Sequence, residues 1–355
     1  MQQAMALARR GLGRTSPNPM VGCVIVRGTR VVAEGWHARC GGPHAEIAAL
    51  QKAGALAHGA RMYVTLEPCA HFGKTPPCVD DIIAHGLSEV YIGTRDPNPL
   101  TCGKSVRALR RAGIKVSVGI LTRELTQLNA AFFKFITRGL PLTTAKIAQT
   151  LDGKIATRAG RSEWISSIKS RKFARKRRTD FDGILTGINT VLRDDPLLDP
   201  GYPKERWFKI IVDSSLKIPL KARVFGSNSP CTVILAVTAK ADQKKIQRVQ
   251  KFAEVWMCPS KKGRVDLRWL WRSLARRGIT NLLLEGGGTI SSAALREKLV
   301  DKMHLYLALK IFGDERSLSA VQGFAPAQIA DALELKDAQV TVLGQDIFVE
   351  GNVRY

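Results

Sequence analysis

Two short stretches of this chain carry residues that could together do metal-assisted hydrolysis. Pro43-His44-Ala45-Glu46 places an imidazole two residues before a carboxylate, and the run from Thr65 to Cys78 holds two thiols, Cys69 and Cys78, each preceded by proline. One imidazole and two thiols are three soft ligands. They stop one short of a closed tetrahedral zinc site, and the open corner is what a catalytic zinc needs for water. Zinc lowers the pKa of such a water from about 15.7 to about 7, so that hydroxide exists at neutral pH. Glu46, in the first turn of an expected helix, can shuttle a proton without ligating the metal.

His-x-Glu followed by a Pro-Cys pair and a second cysteine is the signature of zinc nucleobase deaminases. Eight residues separate Cys69 from Cys78, six more than in that signature. A second chemical stretch lies far downstream. Asn281-Leu282-Leu283-Leu284-Glu285 reads as an apolar strand running into Gly286-Gly287-Gly288-Thr289 and a helix. That order presents backbone N–H groups and a helix start to a phosphate, and glycine lets the phosphate come close. It is not the G-x-G-x-x-G fingerprint. A plain tight turn is the alternative.

The elements that must position these groups follow from patterning. Residues 2–12 have helical spacing. Val21–Val26 and Val31–Trp36 read as strands joined by a Gly28-Thr29 hairpin turn. A helix from His44 to about Ala57, a strand Met62–Leu66, a helix from Cys78 to near Gly86 and a strand Val90–Thr94 follow. Such alternation predicts a three-layer α/β/α domain. Arg138-Gly139-Leu140-Pro141 marks a boundary, giving domains 1–140 and 141–355. The second restarts with a strand at 143–148 and is again α/β, ending in β-rich sequence.

The 355 residues are 45% hydrophobic, enough for two ordinary cores. No run of about 18 apolar residues exists, so no membrane span is expected. Seven cysteines, two of them claimed by zinc, fit a reducing cytoplasm better than a disulfide framework. The net charge of +25 suits nucleic acid or small phosphorylated ligands. It is spread along the chain, which makes nucleic acid the less favoured partner. Six of the nine residues Ser170 to Arg178 are basic; the run reads as a solvated helix face, with a nucleic-acid or localisation patch as its rival.

The chain resembles the bifunctional riboflavin-biosynthesis enzymes, a pyrimidine deaminase fused to a reductase, over nearly its whole length. The motifs carrying the resemblance are Pro17-Asn18-Pro19-Met20-Val21-Gly22, Pro43–Glu46, Thr65–Cys78 and Asp96-Pro97-Asn98-Pro99, then Leu151-Asp152-Gly153-Lys154, Ser162-Glu163-Trp164-Ile165, Thr190–Pro196 and Glu285-Gly286-Gly287-Gly288. The resemblance implies a cytidine-deaminase-like domain followed by a dihydrofolate-reductase-like one. It implies zinc on His44, Cys69 and Cys78, Glu46 as proton shuttle, and Asn18, His71 and Lys74 on a phosphorylated pyrimidine substrate. In the second half it implies NADPH at Ala148, Trp164, Thr190, Asp194, Gly287, Gly288 and Thr289. Substrate would meet Lys154, Ser162, Arg178, Leu198 and Glu285, with Arg178 forking the phosphate. A homo-oligomer, dimer or tetramer, is also implied.

Three departures stand out. Family members often carry a phosphate-binding arginine soon after Asp194-Asp195-Pro196, where this chain has Gly201, with Arg193 or Arg206 as stand-ins. Cys40 and Cys102 occupy usual alanine positions and read as small packing residues, with exposure the alternative for Cys102, which follows the Asp96–Pro99 loop. The rival function is a tRNA- or nucleotide-editing deaminase whose second half binds RNA. The charge favours it; the long cysteine spacing, the glycine loop and the scarcity of aromatics for base stacking do not. A single-activity descendant with a decayed reductase is the other.

Overall fold

The structure is a computed structural model, and it describes residues 1–70, 77–227, 230–324 and 326–355. The chain forms two compact units, Met1–Gly139 and Leu140–Tyr355. No helix among the described residues is long and apolar enough to cross a membrane.

The first unit runs α1 Gln2–Arg9, β1 Gly22–Arg27, β2 Arg30–Trp36, α2 Ala45–Ala53, β3 Arg61–Leu66, α3 Cys78–Ala84, β4 Glu89–Thr94, α4 Lys104–Arg111, β5 Lys115–Val118, α5 Thr122–Leu128 and α6 Ala130–Arg138. Its five-stranded sheet has the order β2-β1-β3-β4-β5. β1 is antiparallel to both neighbours, and β3, β4 and β5 are parallel. Strand alternation sorts the two faces. Val24 packs with Ala4 and Leu7 of α1, whereas Cys23 and Ile25 pack with Ala45, Ala49 and Leu50 of α2. The helix expected to reach Ala57 stops at Ala53 and tightens into a 3-10 turn, because Gly54 takes φ +51. One glycine is required for the site. A Cβ on Gly35 would lie 2.2 Å from the Ala45 carbonyl oxygen, so only glycine lets β2 seat the start of α2 where His44 is.

The second unit runs β6 Leu142–Thr150, β7 Lys154–Ala156, α7 Ile168–Arg177, β8 Gly183–Gly187, α8 Ile188–Asp194, β9 Phe208–Val212, β10 Thr232–Val237, α9 Gln243–Val249, β11 Glu254–Met257, β12 Ser260–Lys261, β13 Arg264–Val265, α10 Leu267–Arg276, β14 Asn281–Glu285, α11 Gly288–Arg296, β15 Lys302–Ala308, β16 Leu318–Ser319, β17 Glu334–Leu343 and β18 Asp346–Arg354. Nine strands form one sheet in the order β11-β10-β9-β8-β14-β6-β15-β18-β17. All neighbours are parallel except the last two pairs, which are antiparallel. Parallel strands are buried on both faces. Accordingly Ile210 and Ile234 pack under α10 and α11, while Ile211, Val233 and Leu235 pack under α9 on the other side. Asp266 caps α10, accepting from the Trp269 N–H at 3.0 Å. That helix buries Leu270, Trp271 and Leu274 completely, each worth about 1.5–3 kcal/mol. The ends of β6, β8 and β14 then sit side by side, ready to share a site.

Candidate active sites

The three expected metal ligands meet. His44 is the N-cap residue of α2, Glu46 is in that helix's first turn, Cys69 follows β3, and Cys78 opens α3. His44 Nδ1 lies 3.1 Å from Cys78 Sγ and 3.6 Å from Cys69 Sγ, and all three donor atoms lie within 4.8 Å of one another. Tetrahedral zinc, with Zn–N about 2.0–2.1 Å and Zn–S about 2.3 Å, would hold such atoms about 3.5–3.8 Å apart. The donor set therefore fits zinc in chemistry; the 3.6 Å spacing matches, and the 3.1 Å one is about 0.4 Å shorter than the ion would set. Among the described residues no other cluster of this kind occurs.

The electrostatics suit the same reading. The hydrogen bond from Cys78 draws the Cys69 thiol down to about 4, against its burial, and His44 adds to the pull. The backbone N–H of Cys78 also donates to Cys69 Sγ at 3.2 Å. Cys78 moves the opposite way, raised first by that same shared hydrogen bond and then by burial. Glu46 is 3% exposed. Burial pushes its carboxyl up to about 7, with His44 opposing, which leaves it able to take or give a proton near neutral pH.

His37 belongs to this site although no motif or spacing singles it out. It is 2% exposed and stands edge-on to His44 with ring centroids 5.5 Å apart. Its Nδ1 is 2.9 Å from the Pro43 carbonyl and its Nε2 is 3.2 Å from Asn18 Nδ2. A carbonyl only accepts, so Nδ1 carries the proton, and burial lowers the ring's pKa. Nε2 therefore accepts from Asn18, and the Asn18 carbonyl oxygen is left to read a donor. His71 and Lys74 lie outside the described residues.

In the second unit the expected residues fall into two neighbouring groups. A cavity of about 810 Å³ is lined by Thr190, Gly287 and Thr289, and the Gly287 N–H donates to Thr190 Oγ1 at 3.3 Å. Gly288 starts α11 under the strand β16, where a Cβ would come within 2.7 Å of the Ser319 carbonyl oxygen. Backbone groups at a helix start, close-approach glycine and a cavity fit a dinucleotide's phosphates. Ala148, Trp164 and Asp194 are outside that cavity lining. Ala148 packs beside Tyr306. Trp164 is 62% exposed, with the Arg171 guanidinium 4.1 Å above its ring. Asp194 accepts from Ser162, while burial raises its pKa.

The second group centres on Glu285. Arg178 gives two hydrogen bonds to Glu285 Oε2, at 3.1 and 3.0 Å, and one to the Asp199 carbonyl at 3.0 Å. A guanidinium has five N–H donors, so two remain for a phosphate. Lys146 holds Glu285 Oε1 at 3.1 Å. Burial alone would raise Glu285, but Arg178 and Lys146 outweigh it and hold the carboxyl at about 2. Lys146 was legible only as a charge in the Thr-and-apolar strand β6. Leu198 has φ +56 and is 4% exposed. Lys154 Nζ reaches Ser319 Oγ at 3.4 Å.

The departures resolve differently from expectation. A Cβ on Gly201 would stand 2.2 Å from the Arg175 carbonyl oxygen, because the loop after Asp195 packs on the last turn of α7. No side chain fits there. Arg206 does not replace it, since its guanidinium is spent on the Arg277 carbonyl at 2.8 Å and on the Phe208 ring, at the opposite end of β9 from the site. Cys40 and Cys102 are both exposed, so neither is a packing residue.

Two family models match: the RibD C-terminal domain over residues 141–349 and the cytidine and deoxycytidylate deaminase zinc-binding region over residues 1–94. A riboflavin biosynthesis protein RibD from Actinobacillus pleuropneumoniae is 39% identical over 352 residues, covering 99% of this chain and 93% of its own. The RibD of Aquifex aeolicus is 40% identical over 351 residues, covering 98% and 96%. Among solved structures, Acinetobacter baumannii RibD superposes with a TM-score of 0.88 at 34% identity, covering 100% of this chain and 98% of its own. A deaminase/reductase from Thermotoga maritima gives 0.85 at 35%, covering 100% and 97%.

Proposed function

The chain belongs to the RibD family, and from that premise we propose how its residues divide the two reactions. It is a bifunctional deaminase and reductase of riboflavin biosynthesis. The first unit hydrolyses an amine from a diaminohydroxyphosphoribosylaminopyrimidine. The second reduces the ribosyl group of 5-amino-6-(5-phosphoribosylamino)uracil to a ribityl chain.

His44, Cys69 and Cys78 hold zinc in this reading. Zinc bound there supplies a water acidified to a pKa of about 7. Glu46 removes a proton as the new C–O bond forms and returns one to the nitrogen as the C–N bond breaks, so ammonia leaves neutral. Asn18, its amide turned by His37, accepts from a ring or amino N–H of the substrate. His71 and Lys74 stay assigned to substrate through the resemblance.

NADPH supplies the hydride that reaches the ribose C1. Thr190, Gly287, Gly288 and Thr289 would take its phosphates, and Ala148, Trp164 and Asp194 would be its further contacts. Arg178 turns its two remaining donors to the substrate phosphate. Lys154, Ser162, Leu198 and Glu285 fix the ribose beside the cofactor. Glu285 does so as an anion already balanced by Lys146, so its charge does not repel the phosphate.

The observation that carries the reading is the meeting of three soft ligands with a buried carboxyl, Glu46, in the first turn of the helix that His44 opens. Glu46→Gln tests it. Ammonia release should fall about 10²–10⁴-fold with zinc content unchanged, while NADPH oxidation on pre-deaminated substrate survives. Loss of both activities together would overturn the two-site division.

We also assign the chain to the cytoplasm and to a homo-oligomer, dimer or tetramer. The cysteines are free. The edge strand β17 exposes Val340 (66%) and Val342 (71%), an apolar edge that a monomer in water would normally blunt. Val340→Lys should shift light-scattering mass toward the monomer; an unchanged mass would remove this edge from the interface.

A further inference from the structure

The cavity beside α11 has a wall that the assigned cofactor residues leave unexplained. β12 and β13 pair antiparallel around a two-residue turn, Lys262-Gly263, with φ +50 and +75. Two successive left-handed residues suit Asn and Gly, yet the first is a lysine. The hairpin is anchored from behind: the Val265 N–H donates to Ser214 Oγ at 3.1 Å, and Val265 is buried. Lys261, Lys262 and Arg264 therefore line the same cavity as Lys217, and Lys240 Nζ comes up against Gly263.

Little negative charge balances them. The acids on the cavity wall are Asp213 and Glu297. Glu297 is paired with Lys261 at 3.1 Å. Asp213 is fully buried, its Oδ2 taken by the Ile218 N–H at 2.8 Å and its Oδ1 without a partner. Lys217, Lys262 and Arg264 make no ion pair among the described residues. Cations gathered on a rigid turn repel one another, and a dianion between them relieves that repulsion.

We propose that the hairpin Ser260–Val265 selects NADPH over NADH, with Lys262 and Arg264, helped by Lys217, receiving the phosphate on the 2′-oxygen of the adenosine ribose. The inference rests on the dinucleotide reading of the cavity. NADPH carries two phosphate groupings. With the pyrophosphate at the start of α11, the remaining anion is the 2′-phosphate, and NADH lacks it. Part of the net charge of +25 thereby has a use that is neither nucleic acid nor general solubility.

Calorimetric titration of the full chain with 2′,5′-ADP and with 5′-ADP separates the cases without turnover. The wild-type chain should bind 2′,5′-ADP more tightly by about 10–100-fold, the range of one or two charge-assisted hydrogen bonds. Lys262→Asn keeps a residue that tolerates the turn; combined with Arg264→Ala it should erase most of that preference and leave 5′-ADP within about 3-fold. The NADPH-to-NADH ratio of kcat/KM should fall in parallel. If both nucleotides weaken together, or neither changes, the hairpin does not read the 2′-phosphate and the inference is wrong. If the wild-type chain binds neither nucleotide, the dinucleotide reading itself fails, a distinct outcome.

Discussion

Replacing Lys209 with methionine should unfasten the reductase unit from inside. Lys209 sits on β9 with no exposure, its Nζ 2.7 Å from Asp199 Oδ1, 2.7 Å from the Gly226 carbonyl and 3.3 Å from the Val224 carbonyl. Asp199 is itself 5% exposed. Methionine fills a similar volume, so little cavity forms and the loss is electrostatic. Removing one partner of a buried pair costs about 3–5 kcal/mol, because the other charge stays buried. At about 2–4 °C per kcal/mol for a unit of this size, the melting transition should drop by about 6–20 °C. The functional consequence follows from the same loop. The Asp199 carbonyl fixes Arg178 Nη1 at 3.0 Å, so a displaced loop should raise KM for the phosphorylated substrate by about 10-fold, or about 1.4 kcal/mol, with KM for NADPH unchanged. Differential scanning calorimetry reads the first effect and steady-state kinetics the second. Adding Asp199→Asn, which keeps an acceptor for the Ser227 hydroxyl without the charge, should recover about half the lost stability or more. A Lys209→Met melt within about 2 °C of wild type, under about 1 kcal/mol, would refute the reasoning. So would a double variant no better than the single.

Two other outcomes check the electrostatics and the metal. Cys69→Ser should lose zinc by elemental analysis. Chelated wild-type chain should regain ammonia release on zinc addition, whereas chelated Cys69→Ser should not; full metal content in the variant would exclude Cys69 as a ligand. Glu285 is held at about 2 against an ordinary 4.5, so in the unfolded chain it binds its proton first. Its contribution is fully present above pH 4.5 and is lost as pH falls toward 2. Urea midpoints of the second unit should decline across that window, and less steeply in Lys146→Met, where one of the two cations holding the carboxyl down is gone. An equal slope in both chains would show that Lys146 does not hold Glu285 ionised.

The order of elements and the candidate metal cluster were legible in the sequence because both depend on local rules. Strand alternation, the Gly28 turn and the Pro-Cys pairs are fixed by neighbours a few residues away. Only three residues of two types, one histidine and two cysteines, were needed to name His44, Cys69 and Cys78. What tertiary structure alone decided is everything that depends on who stands opposite whom. Asn18 and His37 are nineteen residues apart, and no periodicity links them. Lys146 meets Glu285 because β6 and β14 are neighbours in a parallel sheet, a pairing across 139 positions that sequence spacing does not encode. Gly201 looked like a lost arginine in the sequence. In the fold it is the point where a loop touches a helix backbone, with no room for any side chain. Arg206 had the right charge and the wrong end of its strand. Covalent spacing along the chain sets which chemical groups are available, whereas packing sets their partners, their desolvation and so their pKa values.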